Sequence, residues 1–143
     1  MKLRLRESPN FGLLVLRVGI GLIFVLVHGL PKVMGGVSAW AGLGGAFNRL
    51  LGFVFIPAFW GFMATLSEFG GGICLMAGVL FRPACGLILF TLVIAVASII
   101  RGGYGFDSAS QPVELGFVLL CLIFAGPGRF TLSNLFTSIR APR

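Results

Sequence analysis

Five side chains stand out because ionisable groups are costly where they lie. Arg17 and His28 sit in one long apolar run, Lys32 follows it, Glu68 interrupts a second run, and Glu114 lies in a later one. A charge at the centre of a membrane helix costs about 2.5–3.5 kcal/mol on insertion scales, so such residues mark function or a dedicated partner. Arg17 and His28 are 11 residues apart, which three helical turns bring to one face. Lys32, four residues past His28, shares that face if the helix continues beyond Pro31. A cation, an imidazole and a carboxylate set in hydrocarbon suit a lipophilic redox molecule. A quinone requires an apolar groove, donors for its carbonyls and a proton route. His28 or Lys32 could donate, and Glu68 or Glu114 could carry protons.

Electrons would have to come from elsewhere. The chain has no flavin fingerprint, metal-ligand cluster or redox thiol pair, so a partner would supply or accept them. A single histidine excludes a haem held by two histidines of this chain. Cys74, Cys85 and Cys121 are odd in number, lie in apolar runs and form no CxxC pair, which argues against a disulfide framework, a zinc site or a thioredoxin-like motif.

The elements that position these groups follow from composition. Of the 143 residues, 57% are hydrophobic and 10% charged, and the mean hydropathy is +1.05. Soluble domains carry about 25% charged residues, so a soluble, disordered or secreted disulfide-rich protein is excluded. The net charge of +7 sets membrane topology rather than marking a nucleic-acid binder. The pattern predicts one domain over residues 1–143, an all-α polytopic membrane protein. It is a four-transmembrane-helix bundle with spans at 11–30, 57–80, 83–100 and 112–126. The last of these is short, about 21 Å at the helical rise. Lys2, Arg4, Arg6, Arg82, Arg129, Arg140 and Arg143 fall on one side, and Lys32, Arg49 and Arg101 on the other, which places both termini in the cytoplasm. The apolar run after the basic start is too long for the core of a cleaved signal peptide.

Residues 33–56 are expected to form one or two short helices in the outer interface, or dipping back toward the bundle, with Trp40 and Arg49 as anchors. They would pack over the helix ends or act as a lid. The tail from Arg129 to Arg143 alternates apolar and polar residues, as an interfacial helix does. Asp107 and Tyr104 fall in a glycine-rich turn. Glu114 falls in the first turn of the last span, where it would complement the helix dipole or join His28, Lys32 or Arg101 in a polar pocket. Glu68 and Arg17 lie at depths that a long arginine side chain can bridge. They are expected to pair, either to fix helix register or to work as a functional pair. Gly70, Gly71 and Gly72 permit close helix packing and also leave space beside Glu68.

These pieces, in order, resemble the DoxX family of small four-helix membrane proteins. The resemblance rests on Leu16-Arg17-Val18-Gly19-Ile20-Gly21, His28-Gly29-Leu30-Pro31-Lys32 and Glu68-Phe69-Gly70-Gly71-Gly72. It extends to Gly78-Val79-Leu80-Phe81-Arg82-Pro83-Ala84, Glu114 and Gly126-Pro127-Gly128-Arg129-Phe130. It implies a four-helix bundle in the bacterial inner membrane, with Arg17, His28, Lys32, Glu68 and Glu114 as the polar centre. The family name comes from a subunit of a thiosulfate:quinone oxidoreductase, and other members sit beside diverse redox, sulfur or peptide-modifying systems. The leading expectation is an oxidoreductase-associated subunit that binds quinone, contacts membrane lipid and joins other subunits in a hetero- or homo-oligomer. A structural or assembly subunit without catalysis of its own is the second reading. A transporter ranks last, because no inverted repeat or broken helix pair is present.

Overall fold

The computed structural model describes residues 8–52 and 56–134. Five α-helices account for most of them: α1 (Ser8–Ile23), α2 (Leu30–Leu51), α3 (Pro57–Ala77), α4 (Phe81–Arg101) and α5 (Phe106–Ala125). A π-helical segment, Phe24–Gly29, joins α1 to α2 without a break. No strand occurs among the described residues. Proline opens α3, where its missing N–H and fixed φ suit the first turn.

Among the described residues, three stretches are long and apolar enough to cross a membrane: Pro9–Leu51, Phe81–Arg101 and Phe106–Ala125. α3 falls outside that set for a physical reason. It is the central helix, packed against α1, the π segment, α2 and α4. Glu68, Ser67, Thr65 and two of its three consecutive glycines are buried there. The face that α3 turns to its neighbours can carry polar atoms that its exposed face, with Phe62, Leu66 and Ile73, cannot.

Two expected boundaries change. The first apolar run does not stop at Pro31, because the helix passes through it into α2 and kinks instead at Gly36 (φ 58°, ψ −151°). Residues 37–51 do not lie across the outer interface but run antiparallel along the first half of α3. Trp40 meets Phe62 edge-on at 5.1 Å, and Phe47 stacks on Trp60 at 4.4 Å. The segment thus dips into the bundle and packs. The last helix begins at Phe106 rather than Pro112. Its 20 residues reach about 30 Å, enough for the hydrocarbon core. Asp107, assigned above to a turn, is the acid in its first turn.

Glycine sets how closely the first half of the chain approaches α3. A Cβ on Gly44 would lie 1.6 Å from the Pro57 carbonyl oxygen, and one on Gly61 1.8 Å from that of Trp40. Gly21 and Gly72 meet in the same way, each facing the other's carbonyl. These are backbone-to-backbone contacts, the arrangement that small residues allow between membrane helices. Beyond α5, Thr131 accepts a hydrogen bond from the Asn134 N–H at 3.1 Å, an N-cap for residues 132–134, which are helical. The rest of the expected tail helix lies outside the described residues.

Candidate functional site

The polar centre is built around α3. Glu68, nearly fully buried and close to the middle of that helix, forms an ion pair with Lys32 Nζ. The expected pairing of Glu68 with Arg17 is therefore incorrect. The reason is register. Passage of the helix through Pro31 carries Lys32 to mid-bundle instead of leaving it at the outer surface. Trp40 Nε1 donates to the Lys32 carbonyl at 3.0 Å, reaching back across the Gly36 kink.

The π segment explains the motif His28-Gly29-Leu30-Pro31-Lys32. Proline has no N–H and its ring crowds the carbonyl four residues before it. A wider turn relieves both problems, and the Leu30 N–H bonds to the Val25 carbonyl, five residues back. Gly29 lets this turn press on α3, since a Cβ there would lie 2.7 Å from Phe69 Cα. His28 sits in the same turn, its ring 5.4 Å from that of Phe24 and tilted by 40°. The charges of Glu68 and Lys32 both act on it. Its Nε2 is buried and has no hydrogen-bond partner among the described residues. Sequence periodicity gives no direct signal for a π turn; the only hint is a proline one residue past a His-Gly-Leu run inside an unbroken apolar stretch.

Arg17 belongs to a different place. It is 2% exposed, and its Nη2 donates to the Phe130 carbonyl beyond α5. Its guanidinium lies over Gly78, where a Cβ would be 2.0 Å from Nη1. Gly78 ends α3 in the left-handed region (φ 69°), and the Val79 N–H bonds the Cys74 carbonyl, a Schellman closure. Nearby, the Arg129 N–H donates to Asn10 Oδ1 at 3.0 Å. Arg17, the α3–α4 turn and the Gly126–Phe130 closing segment thus form one junction at the end of the bundle where α1 begins. Nε and Nη1 of Arg17 have no partner among the described residues.

Glu114 joins neither site. It is the ninth of the 20 residues of α5, not in the first turn, and it is exposed. It forms no hydrogen bond or ion pair with any described residue. Of the five sequence candidates, the structure brings together His28, Lys32 and Glu68. No group of three or more His, Cys, Asp or Glu placed to hold a metal occurs among the described residues.

The fold defines a helical membrane bundle, with a partly buried charge pair between the first helical stretch and α3. The family model DoxX matches residues 12–101, from α1 through the end of α4. The chain belongs to the DoxX family. No curated protein and no solved structure matches it. The matched stretch contains Arg17, His28, Lys32 and Glu68 and ends before α5 and Glu114.

Proposed function

We propose that this chain is a membrane subunit of an oxidoreductase system and that it binds a quinone, or a similar lipophilic redox molecule, at His28. The observation that carries the reading is the buried, unpartnered Nε2 of His28. Leaving such an atom unbonded costs about 1–3 kcal/mol, a cost that a hydrogen bond to a ligand oxygen removes. Phe24 offers a ring face beside it. The Lys32–Glu68 pair, whose charges act on His28, gives a proton acceptor and donor and is itself neutral. When bound, a quinone supplies two-electron, two-proton chemistry. The residues here would orient its carbonyl and pass protons, and a partner would supply the electrons. Membership of the DoxX family supports a place in the bacterial inner membrane, and the distribution of basic residues along the sequence supports cytoplasmic termini.

The experiment is quantification of quinone extracted from the purified full-length protein. Wild type should retain it, and His28→Phe should lose it while keeping the wild-type melting temperature. Equal quinone in the two proteins refutes the assignment. Retention of stoichiometric quinone and turnover by Glu68→Gln would remove Glu68 from the site.

The second reading is a docking subunit. The glycine faces do not serve it, since Gly21, Gly29, Gly44, Gly61 and Gly72 are all closed against the chain's own helices. A docking surface would have to be elsewhere.

A further inference from the structure

Glu114 has an environment that the fold alone does not explain. α4 and α5 form an antiparallel hairpin, and Gly116 of α5 faces Leu89 of α4, where a Cβ would stand 3.4 Å from the leucine side chain. Two residues further along α4, the Thr91 hydroxyl hydrogen-bonds that of Ser67 on α3 at 3.0 Å. Glu114 therefore lies level with Ser67 and Glu68, in the middle of the bundle. It is about 12 Å along α5 by the helical rise. Unlike Glu68 it faces outward. Gln111, one turn earlier on the same stripe, is also exposed, as is Cys121 two turns later. Phe117 and Phe124 flank the stripe and are 65% and 78% exposed. Lipid offers neither a counter-charge to a carboxylate nor a hydrogen bond to an amide, and ionisable groups in membrane spans face protein or a polar cavity.

We infer that the Gln111–Glu114–Cys121 face of α5 is the docking site for a membrane-spanning helix of another protein, one that presents a lysine or arginine at mid-depth. Charge complementarity selects this occupant. A second copy of this chain would add a second carboxylate, and none of its described residues offers a free cation at that depth. Lys32 is committed to Glu68, Arg17 is sealed at one end of the bundle, and Arg49, Arg82, Arg101 and Arg129 lie at or beyond helix ends. Gln111 adds a donor and an acceptor that helix pairs in membranes use across their contact. The inference deepens the subunit reading but uses no residue of the His28 centre. Quinone content and docking therefore fail independently.

The test is photocrosslinking in the native membrane with the full-length chain carrying Cys121→benzoylphenylalanine, followed by sequencing of the adduct. The expected adduct joins position 121 to a transmembrane segment with a lysine or arginine near its middle. Glu114→Lys should lower its yield by at least about tenfold, as removal of a desolvated charge pair does. Glu114→Asp should retain it, and exchanging the partner's basic residue for glutamate should restore the adduct of Glu114→Lys. Glu114 is exposed and forms no hydrogen bond or ion pair with any described residue, so purified Glu114→Lys should melt as wild type does. If it does not fold, Glu114→Gln provides the same comparison. An adduct with a second copy alone, an adduct with lipid alone, a partner helix without a basic residue, or an unchanged yield in both variants would each overturn the inference.

Discussion

At the scale of single residues, two cations, Arg17 buried and Lys32 partly buried, meet opposite fates. Lys32 finds a carboxylate, and Arg17 finds a carbonyl and a glycine. The ion pair is weak evidence for stability, because desolvating both partners offsets most of their attraction, but stranding one of them is expensive. Glu68→Leu should therefore destabilise the bundle by about 3–5 kcal/mol, and Glu68→Leu combined with Lys32→Leu by clearly less than the sum of the single changes. Reversible unfolding in mixed micelles measures this cycle. Additive losses would mean that the two side chains do not depend on each other. Arg17 has a different role. Its single hydrogen bond to Phe130 ties the first helix to the chain beyond the last one. This accounts for an arginine, a glycine at position 78 and a Gly-Pro-Gly closure recurring together in one sequence.

At the scale of elements, contact between the first 50 residues and α3 depends on missing side chains. Gly61→Ala would drive a methyl group into the Trp40 carbonyl, a backbone atom that can move only by shifting α2. Overpacking of this kind costs about 1–3 kcal/mol, or more where backbone must yield. Gly12→Ala meets nothing within 4 Å, and the helical preference for alanine should stabilise α1 by up to about 1 kcal/mol. Thermal melts of the two variants should move in opposite directions. A Gly61→Ala protein that melts with wild type would show that α2 and α3 are not in close contact. The π segment belongs to this scale as well. It absorbs Pro31, keeps the helix continuous and turns His28 and Lys32 toward α3.

At the scale of the whole molecule, the central helix α3 decides the number of crossings. If all four helical rods span the bilayer, Gly52 and Tyr104 lie on one side, and Gly78 and Arg129 on the other. Single cysteines introduced at these positions, in a chain lacking Cys74, Cys85 and Cys121, should label in those two groups with an impermeant maleimide. Labelling of Gly52→Cys together with Arg129→Cys from the same side would overturn the four-rod arrangement. The unequal faces of α5 are also a property of the whole molecule. One face closes the core through Leu119 and Leu122, and another holds Glu114 outward.

Much of this protein is determined by local sequence. Long apolar runs with few charges leave a membrane bundle as the stable form, because the backbone in hydrocarbon must satisfy itself within helices. The start of α3 is legible in proline, whereas Pro31 reads as a stop and is instead passed through. The order of the short motifs is enough to indicate the DoxX family. Hydropathy cannot tell which ionisable groups meet, since it records that a charge is unusual and not what lies opposite. A single wide turn before Pro31 advances Lys32 to Glu68 and leaves Arg17 to the closing segment. Extension of α5 back to Phe106 moves Glu114 from a helix end to mid-depth. The first outcome depends on register between helices, which is set by where backbones can touch, at Gly29, Gly44, Gly61 and Gly72, and the second on where α5 begins. Only the packed structure contains that information.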